Sequence, residues 1–318
     1  MKFILTLGTL VFASLAGAAP AAYDPLALPD TGTKSLDLVA GDAKRSLPLL
    51  VVLPKAAGPA PVILFSHGLG GSNKACSYLG EQWAGRGYVV VFVQHPGSDE
   101  SILKGSEDPM RAMRKAATTK NLVLRIEDIH TVLDQLGAWN SQPSHPLNDR
   151  LDLEKIGMAG HSFGALTTQA VSGQTFPWVG TKFTDPRIKS ALCLSPSVPA
   201  KGSAIKAFES VKIPWMLMTG TNDIAILGPQ DISARLGVFP ALPPGGKYEV
   251  VLNGAEHLAF TDRTVAGTRR NPLHHKSIRA LSTGFWDVFL KGDPAAKAWL
   301  DGEAPKYVLS PADTFQKK

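Results

Sequence analysis

The segment Gly160-His161-Ser162-Phe163-Gly164 constrains this chain more than any other. It lies between an apolar run ending Ile156-Gly157-Met158-Ala159 and a small-residue helical stretch, Ala165-Leu166-Thr167-Thr168-Gln169-Ala170. That context reads as strand, sharp turn and helix, with Ser162 at the turn. The serine needs strained backbone to stand above a sheet. The glycines two before and two after it must lack side chains so that strand and helix can approach. A chance Gly-x-Ser-x-Gly in a loop would not carry a buried strand on one side and a helix on the other.

The rest of the chain supplies a frame of matching kind. Val62-Ile63-Leu64-Phe65 and Tyr88-Val89-Val90-Val91-Phe92-Val93 are continuous apolar runs, as expected of strands buried on both faces. Lys189–Leu194, Ile213–Met218 and Tyr248–Leu252 read as further strands, the last of these closing the series. Leu36–Val39 and Leu47–Leu53 read as edge strands, one polar-alternating and one interrupted by Pro48. Leu122, Ile126, Ile129, Leu133 and Leu136 recur at helical spacing, and Ile278–Leu290 forms a closing amphipathic helix. Strands alternating with helices predict an α/β protein with a mostly parallel sheet covered on both faces. The polar stretch His95 to Lys120 exceeds an ordinary crossover loop and is expected to run over the surface, partly helical; it and Gly228 to Gly246 are the segments expected to wall an otherwise open cleft.

Composition agrees with one large domain. The chain has 318 residues, 44% hydrophobic and 19% charged, enough to build a sizeable core. The net charge of +6 is scattered, without a basic stripe interleaved with aromatics, so nucleic acid is not an expected partner. Lys2, the apolar stretch Phe3–Leu15 and the small residues Ala16-Gly17-Ala18 predict a signal peptide over residues 1–18. A second possible cleavage site is Pro20-Ala21-Ala22. The expected mature domain is 19–318, secreted or periplasmic, without stable membrane insertion, since no segment approaches the length of a span. Cys76 and Cys193 are not expected to pair, the second being buried in an apolar run.

A serine nucleophile at neutral pH requires a base, an orienting acid and an oxyanion site, gathered at the carboxyl ends of the strands. Of the 8 histidines, His257 alone follows the last strand, where the Ser–acid–His order of this architecture puts the base. His67 and His161 are expected to pack and shape loops, and His274 and His275 to sit on the surface or cap a helix. Asp223, in Thr219-Gly220-Thr221-Asn222-Asp223, just past the Trp215–Met218 strand, is the expected acid. Glu256, next to the base, Asp231 and Asp262 are weaker candidates. The oxyanion donors are expected to be the amides of Phe163, after the nucleophile, and Leu69, in Ser66-His67-Gly68-Leu69-Gly70-Gly71. That glycine-rich loop lacks the Gly-Lys-Ser/Thr ending of a phosphate cradle. No Cys/His cluster has metal spacing and no cofactor motif occurs, so neither is expected. Phe163, Trp178 and Trp215 are candidate substrate-binding surface.

On these residues the chain resembles the α/β-hydrolases over nearly its whole expected mature length. Phe65-Ser66-His67-Gly68-Leu69-Gly70-Gly71 together with Gly160-His161-Ser162-Phe163-Gly164 is similar to the dienelactone-hydrolase-like and platelet-activating-factor-acetylhydrolase-like branch, and to bacterial open-cleft polyester hydrolases. The resemblance implies an eight-stranded, mostly parallel sheet with helices on both faces and a Ser-His-Asp triad. In the acetylhydrolases the acid follows the strand directly after the elbow helix. Here that strand ends Leu194-Ser195-Pro196, with no carboxylate, and the acid moves one strand later, to Asp223. Dienelactone hydrolases use a cysteine where this chain has Ser162. Lidded lipases insert a cap where this chain has only residues 195–212, so no large cap domain is expected. The function these readings imply is an exported serine esterase acting on a small or polymeric ester of short-to-medium acyl or bulky aromatic type. Alternatives are a phospholipid acetylhydrolase, a thioesterase or amidase, or a non-catalytic binding protein on the same fold.

Overall fold

The computed structural model describes residues 22–177, 179–225, 227, 231–262 and 271–318. The apolar runs form the middle of one sheet, as double-faced burial requires. In chain order the strands are β1 (Lys34–Gly41), β2 (Ser46–Leu53), β3 (Ala60–Ser66), β4 (Val89–Val93), β5 (Leu151–His161), β6 (Ile188–Leu194), β7 (Trp215–Asn222), β8 (Lys247–Glu256) and β9 (Thr314–Lys317). Their spatial order is β1-β2-β4-β3-β5-β6-β7-β8-β9. β3 to β8 run parallel with their neighbours, while β1 and β2 at one edge and β9 at the other pair antiparallel. The expected sheet of eight strands therefore has a ninth. β9 has only four residues, Thr-Phe-Gln-Lys, too short and too polar to read as a strand in isolation, and its ladder with β8 holds it in place.

Helices cover both faces. On one, α1 (Ser77–Gly85) and the long α8 (Pro272–Phe289) bury Leu79, Trp83, Phe285 and Trp286 against the strands, with α9 (Pro294–Asp301) packed on α8. On the other, α3 (Thr119–Asn140) buries Ile126, Ile129, Leu133 and Leu136, beside the elbow helix α4 (Phe163–Val171). The short helices α5 (Ala204–Phe208) and α7 (Val238–Ala241) close a third cluster around Trp215. Only α5 occupies the connection where a cap would be inserted. The excursion after β4 folds into a 3-10 turn at Glu100–Leu103 and α2 (Pro109–Ala116), capped by Asp108. The second excursion carries α6 (Ile232–Leu236) and α7.

No disulfide joins the two buried cysteines; Cys76 Sγ donates to the Phe260 carbonyl at 3.2 Å, and Cys193 lies within β6. Among the described residues, no helix is long and apolar enough to cross a membrane. The expected signal peptide lies outside the described residues.

Candidate active site

β5 ends at His161, and Ser162 turns the chain into α4 with φ 56° and ψ −113°, a left-handed φ that a side-chain-bearing residue adopts only under constraint. The constraint is local. A Cβ at Gly164 would overlap the Ser66 carbonyl, and one at Gly160 the Gly164 carbonyl, so helix, elbow strand and β3 meet backbone to backbone. The Ser162 amide is held by the Leu194 carbonyl at 2.9 Å. Ser162 is thereby presented at the carboxyl edge of the sheet.

β7 and β8 bring up the other two groups. The His257 ring lies with Nε2 2.8 Å from Ser162 Oγ and Nδ1 2.6 Å from Asp223 Oδ1. Asp223 is fully buried just past β7, and its second oxygen accepts from Thr219 Oγ1 at 2.8 Å. Burial alone would raise its carboxyl. The hydrogen bond and charge of His257 and the charge of Arg235, whose Nε is 3.6 Å away, outweigh burial and hold it below the usual carboxylate range. Arg235, from α6, also donates to the carbonyls of Ser195 and Pro196 at 3.1 Å each, tying the turn after β6 to the acid. His161 packs against His257, ring centroids 4.8 Å apart, and its Nε2–H donates to the His257 carbonyl at 2.9 Å. Burial first, then the His257 charge, depresses His161 to about 3, so it is neutral and available as that donor.

These groups open into a cavity of about 340 Å³. Its walls include Leu69 and Phe163, the two expected oxyanion residues, with Leu166 and Leu258. Among the described residues, no backbone carbonyl takes up the amides of Leu69 or Phe163, while the neighbouring Gly70 and Gly71 amides are spent on Ser98 and Gly68. Leu103, Pro109, Met113 and Ala117 form another wall. The excursion after β4 thus lines the cavity as well as the surface.

Not every expected residue arrives there. Trp215, a candidate for substrate contact, is fully buried at the other end of β7, packed on Phe208 with Nε1 donating to the Ser172 carbonyl. It belongs to the core, because the strand's amino end points away from the edge where ligands gather. Trp178 lies outside the described residues. Among the described residues the His257 ring bonds Asp223 and Ser162 rather than the side chains of Glu256, Asp231 or Asp262; Asp231 caps α6, and Asp262 accepts from Ser77. His274 and His275, expected at the surface or as helix caps, are buried near the start of α8, bonding the Asn253 and Ala259 carbonyls. Nothing in the sequence pointed to Arg235, whereas the wall supplied by α2 falls within the 95–120 excursion expected to flank the cleft.

A family model described as chlorophyllase matches residues 30–183, a stretch that includes the Leu69 loop and the Ser162 elbow but not Asp223 or His257. Platelet-activating factor acetylhydrolase of Canis lupus familiaris is 29% identical over 147 residues, 35% of this chain and 32% of that protein. The Bos taurus protein of the same name is 24% identical over 239 residues, 66% of this chain and 50% of its own length. The chain thus spans half or less of the length of these curated relatives. The sheet order and the matched stretch agree on the α/β-hydrolase fold. Within that fold its sequence is similar to the platelet-activating factor acetylhydrolases.

Proposed function

We propose that the protein is a serine esterase with Ser162 as nucleophile, His257 as base, Asp223 as orienting acid, and the Leu69 and Phe163 amides as oxyanion donors. The observation that carries this reading is the continuous relay Ser162–His257–Asp223, at 2.8 and 2.6 Å, opening onto the apolar-walled cavity. Ser162 Oγ attacks the ester carbonyl while His257 Nε2 takes its proton. The negative charge moves to the carbonyl oxygen between the two amides. Asp223 fixes the imidazole with its proton on Nδ1 and balances the imidazolium. Collapse expels the alcohol, which takes the proton from His257, and leaves Ser162 acylated. A water, deprotonated by His257, then releases the acid.

The cavity's size and walls suit carboxylic esters of short-to-medium acyl length, or esters with a bulky or aromatic group. The names of the matched relatives favour one narrower reading, removal of an acetyl group from a phospholipid-type ester. We further propose that residues 1–18 direct export and that 19–318 form the catalytic domain.

The deciding experiment is labelling with a fluorophosphonate, followed by peptide mass spectrometry. An adduct on Ser162, together with turnover of nitrophenyl esters, supports the reading. A well-folded protein that neither labels nor turns over would instead point to a binding protein on this fold. Comparing acetyl with longer acyl esters separates the narrower reading from the broader one.

A further inference from the structure

A second Ser-His-Asp array lies beneath the Leu69 loop. Ser66 Oγ is 2.9 Å from His95 Nε2, and His95 Nδ1 is 2.8 Å from Asp128 Oδ2. Arg45 donates to both oxygens of Asp128, at 2.5 and 2.8 Å. Ser66, His95 and Asp128 come from the end of β3, the turn after β4 and α3, and all three are buried. This array does not present a nucleophile. Ser66 is sealed, and its oxygen accepts from Arg125 Nη2 at 3.1 Å, so its lone pair faces a cation and its proton faces His95. The directional chain runs from Arg125 through Ser66 and His95 to Asp128.

Arg125 is the informative member. It is fully buried on α3, on the same face as Leu122 and Ile129, where the helical pattern calls for an apolar residue. Burying a guanidinium is costly, so its contacts must explain it. Nη1 donates to Ser98 Oγ at 3.1 Å, and Nη2 donates to the His67 carbonyl as well as to Ser66. The guanidinium carbon lies over the Phe163 ring, 4.8 Å from its centroid. His67 begins the loop that carries Leu69, and Phe163 is the elbow residue. One side chain therefore touches both halves of the candidate oxyanion hole, which arise from different elements.

We propose that Arg125 is a positioning residue that sets the spacing of the Leu69 and Phe163 amides, with the Arg45–Asp128–His95–Ser66 array locking its guanidinium in place. This inference rests on the serine-esterase reading. An oxyanion hole acts through donors fixed before charge develops, and a small drift of one donor is felt in the transition state rather than in substrate binding. Lysine retains the charge but has neither the fork nor the flat face.

The test is Arg125→Lys, with active sites counted by fluorophosphonate titration. The expected result is a kcat lower by about 10- to 100-fold with KM within about twofold, and slower labelling of Ser162 in parallel. Phe163→Leu keeps the amide and removes the ring. In a double-mutant cycle the two losses should be markedly less than additive. If Arg125→Lys fails to fold, Ser66→Ala removes one anchor of the guanidinium and should give a smaller loss of the same kind, in kcat alone. Unchanged kcat per titrated site, a loss confined to KM, or full additivity with Phe163→Leu overturns the proposal. Absence of labelling in the unsubstituted protein would overturn the esterase reading itself, whereas normal labelling with an indifferent Arg125→Lys overturns only the role of Arg125.

Discussion

Single residues at the carboxyl edge of the sheet carry the proposed chemistry, and their removal should be felt in rate rather than stability. Ser162→Ala is expected to reduce kcat by roughly 10⁴- to 10⁶-fold while the thermal transition stays close to that of the parent. His257→Ala should cost about as much, and the double substitution should add little, because the two act as a unit. Asp223→Asn leaves the ring in the wrong tautomer and should cost roughly 10⁴-fold or somewhat less. A silent Asp223→Asn alongside a crippling change at Asp231 would show that the acid lies elsewhere. Ser162, Asp223 and His257 could be read from sequence because each sits just past an apolar run, in an order that this architecture dictates. Arg235 and Arg125 could not be read in the same way. Each is one arginine in a helix, and its partners are backbone carbonyls and side chains distant in sequence. Arg125 did leave a trace, as a charge on the apolar stripe of α3. Trp215 illustrates the opposite failure: an aromatic residue in a strand shows that it is buried, but its end of the strand decides whether it meets ligand or core.

At the level of elements, the elbow depends on α4 lying against β3 and β5 without intervening side chains. Gly164→Ala would drive a methyl group into the Ser66 carbonyl, which is backbone and cannot yield cheaply. A loss of about 3 kcal/mol or more is expected, measured by denaturant unfolding, and activity should fall with the displaced helix. By contrast, α2 is a wall rather than a support. Met113→Trp should narrow the cavity and lower kcat/KM for bulky aromatic esters well beyond its effect on acetate esters, with stability little altered. Equal effects on both substrate classes would argue that Met113 does not bound the substrate. The central strands were legible because burial on both faces leaves continuous apolar runs. β9 was not, because it depends on pairing with a distant segment and not on its own periodicity. The 95–120 excursion was legible as a wall of the cleft from its length, but not the particular side chains it presents.

For the whole molecule, the interior holds histidines that must remain neutral. Burial, followed by the charges of Arg125 and Arg45, pushes His95 well below its ordinary value; His161 is pushed to about 3. Above about pH 6.5 these rings are neutral in both folded and unfolded chains and contribute no pH dependence. As pH falls below that, the unfolded chain binds protons that the folded one refuses, so stability declines down to about pH 3 for His161. The slope is up to about 1.4 kcal/mol per pH unit for each ring. Denaturant midpoints measured at pH 7, 5.5 and 4.5 should fall steadily. His161→Gln should flatten that fall, even if it costs stability at neutral pH. An identical slope in the variant would show that His161 titrates freely in the fold.

The cavity draws its walls from the ends of strands and from the segments between them, while the sheet itself contributes none of its central side chains. On the proposed function, the load of folding and the discrimination among substrates fall on largely separate sets of residues. For anyone wishing to redirect this protein, Leu103, Met113, Ala225 and Leu258 form a compact palette for combinatorial libraries. Changes there can be recombined with little debt to the core, and those that lie far apart should combine additively. Substitutions confined to those loops leave in place the glycine contacts that present Ser162.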